Sequence, residues 1–300
     1  MRSVGQAFAR VGTADPRLTI AGKVDYRLQA IYRSYRKKDA PPTRVKPLPV
    51  TIVMAVLDNA FRQEPSLERK AIANMICIAF YFCLRPGEYT GTTTDDQAFA
   101  LNDVAFFLGG RKLDNDTATD AAIASATHVT LTFTTQKNGD KGTELAHGLS
   151  GHPWCCPVRS AARQLLQHRA HFQRRDLQYN GSVKLATYYT QQHTRLAIRA
   201  TQVTTTLRWH AGLLRATTGI DPKNISARSL RAGGAMALFT GGCDSNQIKL
   251  VARWHSDSMM LYLHQTALPV HQRLARLMFN NGRYDFLPSD WVPSRDPLPR

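Results

Sequence analysis

The stretch from Ala71 to Leu84 is apolar nearly all round, with Ile72, Met75, Ile76, Ile78, Phe80 and Phe82 spread over every face of a helix. Such a helix has no side to show to water and must be enclosed by other elements. Ser66 is placed to cap its start, with Glu68 in the first turn. Its end is expected at Arg85, because Pro86 disfavours helical backbone in the residue before it. Arg85 therefore leaves a core at a helix end, where a charged group needs a partner. Two partners stay open: Glu88, or a phosphate of a substrate.

The surrounding pattern is mostly helical. Helices are expected over 50–62, from Pro157 to about Arg175, from Thr201 to Thr217 with Gly219 as the stop, and from near Arg228 onward. Asp244 and Asp257 are placed to cap two short helices, and a last helix is expected over 269–280. Residues 98–113 have weak strand character, 114–126 read as a loop, and 176–198 have no clear period. Only Val129, Leu131 and Phe133, alternating with threonines, carry the period-two pattern of a half-buried strand. Asn138-Gly139 then signals a hairpin flanked by Lys137 and Lys141. The expected fold class is mainly α with a small antiparallel β-sheet (α+β) that includes 128–136 and 142–149.

Residues 1–40 read as a basic helical segment, with Tyr26, Leu28, Ile31 and Tyr32 at helical spacing. The prolines at 41, 42, 47 and 49 then exclude helix and central strand and mark a linker. The expected organisation is 1–45 helical segment and linker, 46–280 main domain, and 281–300 a proline-rich, disordered tail.

Lys and Arg number 39 against 22 Asp and Glu, a formal charge of +17. On a folded domain that excess points to a polyanionic partner, most simply nucleic acid. No basic amphipathic helix favours a membrane surface, and no apolar run is long enough to span one. The five cysteines are odd in number and poorly spaced for disulfides, which fits a reducing intracellular compartment. His147, His152, Cys155 and Cys156 match no zinc module, so neither metal nor cofactor is expected.

One constellation carries chemistry. Arg228 and Arg231 stand three residues apart, Arg253-Trp254-His255 follow, and Tyr262 comes next. Arginines grip phosphate in bidentate fashion, and a phenol can act as a covalent nucleophile. Gly233 and Gly234 serve either close packing or close approach of DNA.

Four segments, in order, resemble the tyrosine recombinase (phage-integrase) family, with Crypton- and DIRS-type mobile-element integrases the nearest flavour. Cys83-Leu-Arg85-Pro-Gly-Glu88 resembles its first arginine box, and Gln136-Lys137-Asn-Gly its hairpin lysine. Ser229-Leu-Arg231-Ala-Gly-Gly resembles the second arginine box, and Ala252-Arg-Trp254 with Tyr262 the closing box. The resemblance spans about residues 45–280 and implies a DNA breaking-rejoining catalytic-domain fold. It implies metal-free strand cleavage and rejoining on duplex DNA, with Tyr262 as nucleophile and a 3′-phosphotyrosine intermediate. Arg85 and Arg231, with Arg228 assisting, would balance transition-state charge. Lys137 would protonate the leaving oxygen, and Trp254 would buttress the phosphate or the nucleophile. It further implies self-association on DNA in a tetrameric synapse, and a nuclear site of action in a eukaryotic host.

Two departures stand out. Arg228 occupies the place where the family has histidine, and arginine cannot exchange a proton near neutral pH. Arg253, Trp254 and His255 are all candidates for the family's His/Trp position. The family's helical DNA-clamping N-terminal domain is also longer than 1–45, so that half is expected to be truncated. These departures keep a second reading in view, a catalytically inactive DNA-binding remnant of a mobile element. Both readings predict duplex-DNA affinity whose logarithm falls steeply with the logarithm of salt concentration, because several phosphate contacts release counterions. Titrations from low to physiological salt check this; a flat response would contradict it.

Overall fold

The computed structural model describes residues 7–8, 10–38, 46–62, 66–91, 98–134 and 142–254. The chain divides between Arg44 and Val45 into two units. The first holds helix α1 (Tyr26–Lys38). Its apolar side chains do not form a core: Tyr26, Ile31, Tyr32 and Tyr35 are all exposed.

The second unit is built around the apolar helix. α2 (Val50–Arg62) is followed by α3 (Leu67–Tyr81), and every α3 residue from Ala71 to Phe80 is buried. Ser66 caps α3, its hydroxyl accepting from the Arg69 amide at 3.3 Å. The enclosure that the sequence demands comes from α2, from α6 (Pro157–Arg174) and from α9 (Ser229–Thr240), all packed on α3. After the one-turn α4 (Pro86–Tyr89), the chain forms β1 (Val104–Leu108), β2 (Arg111–Leu113), the short α5 (Asp120–Ala124), β3 (His128–Thr132) and β4 (Glu144–Gly148).

The sheet runs β2-β1-β3-β4, antiparallel throughout. Val129 lies opposite Phe106 and His147, and Leu131 opposite Val104 and Leu145. Val104, Phe106, Val129 and Leu131 turn into the core, as the period-two pattern requires. Pairing continues past β3, with the Phe133 amide donating to the Thr143 carbonyl at 2.8 Å. The molecule is thus mainly helical with a small antiparallel sheet.

Three local expectations change. The 114–126 loop contains α5, which Thr119 caps and Ile123 anchors in the core. Residues 176–198 contain a hairpin of β5 (Thr187–Tyr189) and β6 (Arg195–Ala197), strands too short to show a period. The helix over 201–217 is two: α7 (Ala200–Leu213) breaks at Leu214 before α8 (Arg215–Thr218), and Gly219 ends the latter in left-handed backbone with φ 66°. α10 (Ser245–Ala252) starts on Asp244, whose carboxylate accepts from the Asn246 and Gln247 amides at 2.7 and 2.8 Å.

His152 is spent on a turn, its Nδ1 accepting from the amides of Trp154 and Cys155 at 3.1 and 3.0 Å. All five cysteines are free thiols. No helix among the described residues is long and apolar enough to cross a membrane. The Asn138-Gly139 turn, the helices expected from Asp257 and over 269–280, and the tail at 281–300 lie outside the described residues.

The core also holds a histidine. His168 is fully buried; its Nδ1 accepts from the Tyr189 hydroxyl at 2.9 Å, and its Nε2 faces the Leu185 carbonyl at 3.3 Å. Burial pushes it down to about 4. The folded state therefore takes up this proton later than the unfolded chain. Its stabilisation is complete above the ordinary histidine range near 6.5 and is lost as pH falls toward 4, a change of about 3 kcal/mol. Urea unfolding of the wild type should show that loss, and His168→Gln should flatten the slope by up to one proton.

Candidate active site

The buried helix ends where the proposed chemistry begins. Cys83 turns the chain in left-handed backbone, φ 48°, and Leu84 closes back on the Ala79 carbonyl at 2.9 Å. The Phe82 and Cys83 carbonyls point beyond the helix with no helical donor to meet them. Both are met by arginines from distant segments. Arg253 donates from Nη1 to Phe82 at 3.3 Å, and Arg231 from Nη1 to Cys83 at 3.2 Å. Guanidinium groups are well placed at the negative end of a helix dipole. Arg231 also donates from Nη2 to the Ala252 carbonyl, so it joins the C-terminal ends of α3 and α10.

Glu88 is the second organising group. Pro86 starts α4 with its fixed φ, and Glu88 reaches back to the start of that turn. Its Oε2 accepts from the Arg85 amide at 2.7 Å and from Arg253 Nη2 at 2.8 Å, while Oε1 accepts from Arg85 Nη1 at 2.9 Å. One carboxylate, 2% exposed, thus bridges Arg85, which is 27% exposed, and the buried Arg253. Glu88 is therefore the protein partner of Arg85, and the accessible part of the Arg85 side chain still faces solvent.

Arg253 takes an unusual backbone for its role. It ends α10 in left-handed conformation, φ 54° and ψ 52°, a place where glycine is preferred. The buried side chain compensates: its guanidinium packs over Phe133 at 3.8 Å from the ring centre as well as pairing with Glu88. Trp254 turns the other way and lies 4.9 Å from the guanidinium carbon of Arg231. The closing segment accordingly uses two neighbouring residues, Arg253 on Glu88 and Trp254 on Arg231. The third candidate for this position, His255, lies outside the described residues, so the choice among the three stays open. The contacts of Arg253 with Glu88 and Phe133 join segments 165 and 120 residues away, which no local sequence signal could reveal.

α9 is brought against α3 by its glycines. A Cβ on Gly234 would lie 2.2 Å from the Phe80 carbonyl oxygen, and one on Gly233 would lie 2.3 Å from that of Leu48. The Leu48 amide donates to the Ser229 carbonyl at 3.3 Å, and the Tyr89 hydroxyl to the Ala227 carbonyl at 2.9 Å. Of the two sequence-level reasons for these glycines, close packing is the one realised. Arg231 is carried to the end of α3 as a result, while Arg228, at the α9 N-cap, stays exposed and makes no side-chain cap bond.

The electrostatic balance is uneven. Burial, then repulsion from Arg85 and Arg253, pushes Arg231 down to about 10. It stays charged at neutral pH; burial is the main cause of the lowering, and the charges of Arg85 and Arg253 add to it more than Glu88 takes away. Beside it, burial pushes the Cys83 thiol up to about 11, so it stays protonated and inert. The structure therefore brings Arg85, Arg231 and Trp254 into one neighbourhood, together with Arg253 and Glu88. Phe133, four residues before Lys137, belongs to it as well. Lys137, His255 and Tyr262 lie outside the described residues.

No family model matches the chain, and no curated protein matches it. Several solved structures are similar to it. One is XerH site-specific recombinase bound to palindromic difH substrate in a post-cleavage complex, with 15% identity over 79% of this chain and 52% of that one, TM-score 0.46. Others are XerA recombinase (12%, 94% and 75%, TM-score 0.46) and the Tn1549 transposon integrase with transposon right end DNA (12%, 82% and 68%, TM-score 0.39). The match spans about half the length of the XerH chain.

Removing the Glu88 charge should expose how much holds this cluster. Glu88→Gln leaves the buried Arg253 without its counterion and should cost about 3 kcal/mol in urea unfolding. A loss below about 1 kcal/mol would mean that the remaining contacts of Arg253, among them the Phe82 carbonyl and Phe133, suffice to hold it.

Proposed function

We propose that the chain is a tyrosine recombinase of mobile-element type, which cleaves and rejoins duplex DNA through a 3′-phosphotyrosine. The observation that supports this is the arginine cluster: Arg85, Arg231 and Arg253 gathered around one carboxylate, with Arg231 lowered first by burial and then by its neighbours' charge. Such a site is short of negative charge, and a phosphodiester would supply it.

The Tyr262 oxygen attacks the scissile phosphorus in line. The bond from phosphorus to the 5′ oxygen breaks as the new one to tyrosine forms. The phenol loses its proton to solvent, and Lys137 gives one to the leaving oxygen, so protons balance. Arg85 and Arg231 carry the added charge on the non-bridging oxygens, where fixed donors are worth several kcal/mol. The exposed Arg228 adds charge without proton exchange. Rejoining reverses the step with another strand's 5′-hydroxyl, so the energy of the phosphotyrosine bond replaces a nucleotide cofactor. Assembly of several copies on DNA, a nuclear site of action in a eukaryotic host, and kinship with Crypton- or DIRS-type elements belong to this proposal. So does the division of the chain into a helical segment at 1–45, a catalytic domain at 46–280 and a tail.

The test is covalent capture. Duplexes selected from a random pool by binding to the chain, then nicked to trap the intermediate, should yield a protein–DNA adduct that survives denaturation. Tyr262→Phe should abolish it, and Arg85→Ala or Arg231→Ala should each slow it by about 10²–10³-fold. Arg228→His should keep or raise the rate, since a placed acid or base is worth about 10²–10⁴-fold. Loss of cleavage in that variant would instead make Arg228 a phosphate clamp in its own right. No adduct from the wild type on any selected duplex would favour the inactive, DNA-binding remnant.

A further inference from the structure

A second positively charged site lies at the other end of α3. Lys70, near the start of that helix, is about 16 Å from its last residue at 1.5 Å per residue. There α3, α6 and the β5–β6 turn enclose a cleft of about 460 Å³. Its cations are Lys70, Arg163 and Arg174, with His171 and His193 beside them, and its apolar floor is Phe61, Leu67 and Leu166.

The charges are not internally balanced. Arg163 donates to the Asn74 side chain at 3.0 Å, to the Trp154 carbonyl at 3.0 Å and to the Ser160 hydroxyl at 2.8 Å, all neutral acceptors. Its guanidinium also lies 4.6 Å from the Phe61 ring centre, and the Lys70 amine 5.9 Å from it. His171 stacks on the buried Tyr189 at 3.5 Å, and its ring lies 5.8 Å from that of His193. Burial, then the charges of His193, Arg175, Arg174 and Arg195, hold His171 below the usual histidine range. Among the described residues the cleft lining contains no carboxylate; Glu68, on the same helix, is engaged by Gln202 at 2.7 Å. Glu64 lies outside the described residues.

We propose that this cleft docks an acidic segment of a partner protein, one that alternates carboxylates with a bulky apolar side chain. The carboxylates answer Lys70, Arg174 and the histidine pair, and the apolar side chain covers the Phe61 and Leu166 floor. A duplex backbone fits less well, because its phosphates stand on a convex ridge and have no apolar group to lay on that floor. Docking brings carboxylates to His171 and so favours its protonated form. Affinity then rises as pH falls below the histidine range, as long as the ligand's own carboxylates stay ionised. The facing groups are all basic and oppose that protonation until carboxylates arrive: Lys70 on α3, Arg163 and Arg174 on α6, Arg175 at its C-cap, and His193 and Arg195 on the β5–β6 hairpin. His168, buried behind Tyr189, stays neutral above about pH 4 and takes no part.

The experiment uses the full chain and a fluorescein-labelled peptide of four Glu-Glu-Leu repeats, read by anisotropy at physiological salt. Binding should be about fivefold tighter or more near pH 6 than near pH 8. Lys70→Glu and Arg174→Glu should each weaken it by about tenfold or more, whereas Arg111→Glu, the same charge change on β2, should weaken it less than about twofold. Replacing peptide glutamate by glutamine, or leucine by serine, should each abolish most of the affinity. The proposal is overturned if the peptide does not bind, if Arg111→Glu costs as much as Arg174→Glu, or if the glutamine peptide binds as well. It is also overturned if a duplex displaces the peptide and Arg174→Glu lowers duplex affinity by the same factor, since the cleft would then be part of a nucleic-acid surface. None of these outcomes depends on Tyr262, so they stand apart from the fate of the catalytic proposal.

Discussion

The C-terminal end of the apolar helix is the constraint on which the rest depends. A helix buried on all sides cannot turn its last carbonyls to water, and an unsatisfied buried carbonyl costs about 1–3 kcal/mol. In this chain Phe82 and Cys83 find donors in Arg253 and Arg231, which lie 171 and 148 residues further on. Closing those contacts fixes where α9 and α10 end up. It requires glycine at 233 and 234, because a methyl group there would strike backbone oxygen. The fold's need for hydrogen bonds and the gathering of arginines are one event.

Arginines collected for structural reasons repel one another, and this cluster tolerates that only in part. Glu88 pairs with both Arg85 and Arg253 and offsets one of their two charges, with both of its oxygens engaged. Arg231 receives carbonyls and the face of Trp254, which solvate it but carry no formal charge. That is why its lowered value traces to burial and to the other two arginines. A stability argument alone would not keep three guanidinium groups around one carboxylate, since buried ion pairs seldom outperform apolar packing. The phosphodiester of the proposed function would give the arrangement a reason.

The sequence made the helix, its cap at Ser66 and the alternating strand legible, because each rests on a local rule, periodicity or capping. The end expected at Arg85 was four residues late: the helix stops at Tyr81, because Cys83 turns the chain in left-handed backbone before the proline is reached. The order of the boxes pointed to the arginines. It did not reveal who pairs with whom. Arg253 looked like one of three neighbours in a row, and nothing local says that its backbone turns left-handed and sends the side chain inward, with Trp254 passing to Arg231. Glu88 read as a partner for Arg85, and its second arginine came from 165 residues away, beyond the reach of spacing arguments. The β5–β6 hairpin and α5 were missed for a different reason: elements of three to five residues carry too few positions to show a period.

The charge count bears on how such a site would work on a phosphodiester. Three guanidinium groups against one carboxylate leave the described cluster with a surplus of two positive charges. A phosphodiester in its ground state carries one negative charge, and the pentavalent state on the way to a phosphotyrosine carries two. On the proposed mechanism the surplus would be only half used by the bound substrate and fully used at the transition state, the condition under which binding energy lowers a barrier and is not consumed in holding substrate. On the proposed mechanism, Arg228 would move the site further in the same direction. It would add fixed charge and no exchangeable proton, so that preorganised electrostatics would carry the larger share of the work.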